Sequence, residues 1–115
     1  MARFNNLRVW HEARILLQLV SAATHVMRSE GDLKSQMRRA AISVASNIAE
    51  GAERDSDREF RRFLNIAAAS AAEVEAQSII AQDIGCLDAK RAGAIVEQCR
   101  VVGRMVFRLK ERFFQ

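Results

Sequence analysis

From Ala92 onward the apolar residues stand at Ala92, Ile95, Cys99, Val102, Val106, Leu109 and Phe113, three and four positions apart in strict alternation. At 100° per residue, that spacing keeps them on one side of an α-helix, whereas a strand of period two would scatter them over both faces. It is the seam of a helix packed in a bundle. The 115 residues contain no proline and only five glycines, so few breakers interrupt the chain and long helices follow. The spacing predicts a helix over about 88–113, with Asp88 as its cap. Gly93 and Gly103 fall inside it, each about 1 kcal/mol less favourable than Ala. Close approach of a neighbouring helix is the expected compensation.

Three further helices read the same way. The first spans about 6–28, with Asn5 or Asn6 able to cap it, and carries Val9, Ala13, Leu16, Val20, Ala23 and Met27 along one seam. A second apolar row, Ile15, Leu19, Ala22 and Val26, lies on another side, so this helix asks for two partners, its own bundle and a neighbouring subunit. Gly31 breaks the chain, Asp32 can cap a helix over about 32–50, and Gly51 suits the position just past its end. Ser56 and Glu59 have the spacing of a capping box, opening a helix over about 56–84 that Gly85 stops. Phe60, Phe63, Leu64, Ala67, Ala71 and Val74 line its buried face. Short connections make consecutive helices antiparallel. The expected fold is all-α: one domain, residues 1–115, in an up-down-up-down four-helix bundle of long helices.

The second helix has an unusual polar face. Gln36, Arg39, Ser43, Asn47 and Glu50 form a stripe about 80° wide beside the apolar row Met37, Ala41, Val44 and Ile48. Surface helices scatter their polar residues more broadly, and Ser and Asn are modest helix formers. A narrow hydrogen-bonding stripe fits a structural or subunit-interface network. Arg39 and Glu50 stand about 16 Å apart along the axis, so each needs a partner elsewhere.

Charge is unevenly placed. Residues 1–85 hold eleven Lys and Arg against eleven Asp and Glu; residues 86–115 hold seven against three, which accounts for the net +4. Arg100, Arg104, Arg108 and Arg112 recur every fourth residue as a spiralling ridge, with Lys110 nearby. A neutral body with a basic last helix points to an anionic partner, and nucleic-acid phosphates are the sharper expectation. The plainer one is a solvated face with local pairing to Glu97 and Glu111. No base-reading motif accompanies the ridge, and aromatics suited to stacking are few, with Phe113 and Phe114 at the end and no tyrosine, so single-strand recognition by stacking is not expected.

Catalytic chemistry finds little support. His11 and His25 lie about 21 Å apart on one helix, too far to share a metal ion. No Glu-x-x-His, phosphate loop or nucleophile–base arrangement is present, so neither catalytic residues nor a metal or cofactor is expected. A small helical enzyme acting on an acidic metabolite, as helical chorismate mutases do, would need Gln36, Arg39 and Glu50 to converge, and their axial spread opposes it. Cys86 and Cys99 do not make a disulfide framework, and no segment has the length and apolarity of a membrane span or a signal peptide. A reduced cytoplasmic setting is expected. Trp10 reads as a buried anchor near a bundle end.

The run Gln36-Met37-Arg38-Arg39-Ala40, Ser43, Asn47-Ile48-Ala49-Glu50-Gly51 resembles the four helix bundle protein family, first noticed as products of intervening sequences in bacterial 23S rRNA genes. Leu7, Val9-Trp10 and Ala13 resemble its opening. Arg54, Ser56, Glu59-Phe60 and Phe63-Leu64 resemble its link into the third helix, and Ile66-Ala67, Ser70 and Glu73 its continuation. The likeness covers roughly residues 7–87. It departs at Val26-Met27-Arg28-Ser29, where the family often has an aromatic and a proline, and at Ala69-Ser70, where it often has glycine before the serine. The resemblance implies homopentamers of bundles around a central axis, with RNA or ribosome association as the usual suggestion. A related family is the accessory protein of diversity-generating retroelements, whose basic surface engages nucleic acid and a reverse transcriptase. The expected function is thus a non-catalytic, ring-forming protein that associates with RNA or DNA through its fourth helix. The alternative is a scaffold for a protein partner such as a reverse transcriptase or a ribosomal component.

Overall fold

The structure, a computed structural model, describes Phe4 and residues 7–112. Four helices follow in order: α1 (Arg8–Val26), α2 (Gly31–Ala52), α3 (Asp57–Asp83) and α4 (Ala89–Arg112). Among the described residues there is no strand. Each helix packs on two neighbours, in the cycle α1, α2, α3, α4 and back to α1, so α1 is diagonal to α3 and α2 to α4. The result is an antiparallel bundle measuring 45 × 23 × 20 Å.

Every seam residue named for α1 and α2 is buried, and the row Met37, Ala41, Val44, Ile48 is completely inaccessible. Phe60, Leu64, Ala67, Ala71 and Val74 of α3 share one core with Ala92, Ile95, Cys99, Val102 and Val106 of α4, and Phe63 is buried beside Gly51 of α2. Leu109 is half-buried against that core, and Phe113 lies outside the described residues. Gln98 Nε2 donates to the backbone carbonyl of Glu12 at 2.9 Å and to its carboxylate at 2.8 Å, closing the cycle between α4 and α1.

Helix ends differ from expectation in instructive ways. Asn5 and Asn6 lie outside the described residues, and the cap position of α1 is held by Leu7, which makes no side-chain cap. The far end of α1 is secured across the turn, where Lys34 donates to the Met27 carbonyl at 2.9 Å and Arg38 to the Thr24 hydroxyl at 3.2 Å. Asp32 is not the cap of α2. It sits in the first turn, where a carboxylate favours the helix dipole, and Glu30 takes the cap position in the left-handed region at φ 63°. Half of the expected capping box forms: the Glu59 amide donates to Ser56 Oγ at 3.1 Å, while the Glu59 carboxylate turns to Arg62. Gly85, at φ 82°, ends α3 in a Schellman motif, with the amides of Gly85 and Cys86 donating to the carbonyls of Gln82 and Ala81. Asp88 caps α4, its carboxylate accepting from the Arg91 amide at 3.0 Å.

Two glycine expectations are reversed. Gly51 does not follow α2 but lies within it, where a β-carbon would stand 2.6 Å from Cβ of Phe63. Gly93 and Gly103, expected at close helix contacts, face open space, with nothing within 4 Å of where a β-carbon would lie. Trp10 is half-buried rather than buried, with Phe4 edge-on at 4.7 Å and the Arg14 guanidinium 5.1 Å from its ring. The second row of α1 is turned out of the bundle: Ile15, Ala22 and Val26 are exposed and Leu19 half-buried.

Candidate nucleic-acid interface

A step of four residues advances 40° around a helix, so Arg100, Arg104, Arg108 and Arg112 sweep about 120° across the outer face of α4. The sweep begins on the α3 side and ends on the α1 side. Arg100 reaches Glu75 of α3 at 3.3 Å, and Arg104 stands 3.7 Å from Glu97. Lys110 is not on the ridge. It turns to α3 and donates to Asn65 Oδ1 at 2.7 Å. Arg108 and Arg112 have no hydrogen-bond or ion-pair partner among the described residues.

Those two cations share a groove of about 330 Å³ with Arg8 of α1, floored by Leu7, Val9, Met105 and Leu109. Among the described residues no carboxylate lines it. Three guanidinium groups on two helices therefore surround one apolar-floored groove, at an end where the first turn of α1 carries no acidic side chain. Arg8 escaped the sequence reading, although the up-down topology sets the first turn of α1 against the last turn of α4. Phe107 was missed too. It lies off the seam, between two arginines of the ridge, and is 60% exposed.

The polar stripe of α2 faces α3. Ser43 Oγ and Ser70 Oγ are 2.8 Å apart, and Asn47 Nδ2 donates to the Ser43 hydroxyl at 2.9 Å and carbonyl at 2.8 Å. This half-buried network joins helices within one chain. Glu50, expected to find its partner across helices or subunits, pairs within the chain with Arg54, four residues on. Gln36 and Arg39 stay exposed at the rim of a groove completed by Ala40, Ser43, Ser70 and Glu73. The five stripe residues thus divide into a closed centre and two separate ends, and they do not converge on a point.

Titration behaviour follows the same geometry. Arg91, donating from both its guanidinium and its amide, holds the Asp88 carboxyl below its ordinary range. Arg62 does so for Glu59. Burial, with a contribution from Glu75, pushes the Cys99 thiol up to about 12. Both cysteines are free thiols. Among the described residues no three His, Cys, Asp or Glu side chains come together to hold a metal ion, and no helix is long and apolar enough to cross a membrane.

A family profile described as the 23S rRNA-intervening sequence protein matches residues 5–108. The chain belongs to that family. The match runs through α1 to α3 and most of α4, further than the resemblance over residues 7–87, and it includes Arg8, Arg100, Arg104 and Arg108 but not Lys110 or Arg112. Among solved structures, the chain is similar to a protein of unknown function from the S23 ribosomal protein family of Bacteroides thetaiotaomicron. The two share 17% identity and superpose with a TM-score of 0.85, covering 89% of this chain and 97% of the other. At that identity the likeness concerns the four-helix fold. No curated protein matches the chain. As a 23S rRNA-intervening sequence protein, the chain shares the four-helix fold of that structural neighbour.

Proposed function

We propose that this chain is a non-catalytic, ring-forming bundle protein of the cytoplasm that associates with nucleic acid, RNA before DNA, through its basic fourth helix. One observation carries the reading: among the described residues Arg8, Arg108 and Arg112 share a groove that no carboxylate lines, and no partner neutralises Arg108 or Arg112. Guanidinium groups match phosphate in geometry and charge, and several acting together give salt-dependent affinity. The centre of the interface lies at the α1–α4 end of the bundle, because Glu75 and Glu97 already engage the other half of the ridge.

Assembly is supported by two opposite faces. Ile15, Leu19, Ala22 and Val26 lie on the flank of α1 turned toward α4, the flank from which Glu12 meets Gln98. Ile66, Ile80 and Ile84 lie on the flank of α3 turned toward α2, and all three are exposed. In a cyclic bundle these flanks face away from each other. Apolar surface on opposite sides suits head-to-tail contact, which closes into a ring when the rotation permits. The family resemblance supplies the count of five.

Anisotropy of a labelled RNA, titrated with protein at several salt concentrations, tests the first part. Affinity should fall with salt, and joint replacement of Arg8 and Arg112 by Ala should flatten the log–log slope by roughly 0.7 per lost phosphate contact on a single strand. Absence of binding at about 50 mM salt would overturn the reading and favour the scaffold alternative. Mass in solution, read as a multiple of 12.9 kDa, tests the ring.

A further inference from the structure

Phe107 is the most exposed large apolar side chain among the described residues, at 60%. It stands in a groove of about 580 Å³ between α3 and α4, together with Gly103, Arg100, Arg104 and Arg108. On its other side it borders Arg61, Lys110 and Glu111. A helical side chain leans over the turn preceding it, so the ring of Phe107 projects over the turn that holds Gly103. Nothing lies within 4 Å of the position a Gly103 β-carbon would take, so that turn leaves a free slot beside the ring. An interior glycine, which weakens a helix, and an exposed phenylalanine thus coincide four residues apart along the α3-facing edge of the basic ridge.

Building on the nucleic-acid reading, we infer that Phe107 is a stacking platform for an unpaired nucleobase, and that the preferred ligand is single-stranded. Every base has a π-face, so an aromatic ring flanked by cations takes single strands with little regard to sequence. A paired base is already stacked on both sides and cannot enter the slot. Arg104 and Arg108 border the slot for the flanking phosphates. Arg108 also lines the Arg8–Arg112 groove, so the two grooves form one track over α4. The Arg104–Glu97 pair, 3.7 Å apart and exposed on both sides, holds Arg104 weakly enough to exchange for phosphate. The carboxylate in the groove, Glu75, stands at its far end, paired with Arg100.

The test is anisotropy with a labelled oligouridine and with a short RNA duplex, using wild type, Phe107→Ala, Phe107→Trp and Gly103→Leu, with solution mass recorded for each. Wild type should prefer the single strand. Phe107→Ala should weaken single-strand binding about tenfold and leave duplex binding unchanged. Phe107→Trp should restore binding, with the new indole quenched by oligouridine. Gly103→Leu should fill the slot, lowering single-strand affinity while raising the unfolding midpoint. Unchanged single-strand affinity in Phe107→Ala, or equal losses for both ligands, would overturn the inference and leave the nucleic-acid reading standing. A lowered solution mass in Phe107→Ala would identify the ring as a subunit contact instead and equally overturn it. If wild type binds neither RNA, the underlying reading fails first and this one with it.

Discussion

Gly51 and Phe63 meet so closely that a β-carbon on the glycine would lie 2.6 Å from the Cβ of the phenylalanine. The neighbour is the root of a side chain, so it cannot swing away without moving α3. Gly51→Ala should therefore destabilise the bundle. Overpacking of this kind costs about 1–3 kcal/mol, offset in part by about 1 kcal/mol of improved helix propensity. Urea unfolding should show the midpoint fall with little change in slope.

Gly93 is the counter-example. Nothing stands within 4 Å of its missing β-carbon. Gly93→Ala should raise stability by up to about 1 kcal/mol. A loss of stability on the same urea assay would mean that another copy approaches this face.

The Ser43–Ser70 hydrogen bond ties α2 to α3 at a site where Ser70 is buried. Ser43→Ala and Ser70→Ala should each cost about 1 kcal/mol. The double variant should cost less than their sum, because the second change no longer strands a hydroxyl. A double-mutant cycle measures that coupling, and strict additivity would deny it.

Cys99 and Cys86 should part company toward thiol reagents. Burial pushes the Cys99 thiol up to about 12, while Cys86 is half-buried near the α3–α4 turn. In native protein at about pH 8, alkylation should label Cys86 and spare Cys99 until the bundle unfolds. Peptide mapping after brief treatment reads the outcome directly.

Asp88 caps α4 and has its carboxyl pKa lowered by Arg91; Glu59 is lowered by Arg62. A carboxylate with a depressed native pKa contributes stability that is present above its unfolded value and lost as pH falls through the native one. Thermal midpoints should thus decline below the ordinary carboxylate range. In Asp88→Asn, which keeps a capping acceptor, that acid limb should be shallower.

The spacing of apolar residues made the seams legible. Met37, Ala41, Val44 and Ile48 recur because one face of α2 must stay dry, and burial is a property the sequence period carries. What a glycine does is not carried by its period. Gly51 and Gly103 look alike along the chain, yet one meets Phe63 and the other meets nothing. Ion pairing was hidden for the same reason. Arg100 and Arg108 occupy equivalent steps of one ridge, and only the position of Glu75 on α3 separates a paired cation from an available one. Arg8 joined the site through topology, since α1 and α4 neighbour each other despite lying at opposite ends of the described sequence.

That closure governs how the bundle is completed during synthesis. The hydrogen bond from Gln98 to Glu12 spans 86 residues, and α4 is the element that gives α1 and α3 their second neighbour. Until α4 has been made, the nascent chain holds three helices around an open trough lined by Leu16 and Val20 on one side and Leu64 and Val74 on the other. The helix that bears the charge is thus also the one that covers this trough and withdraws it from misassembly.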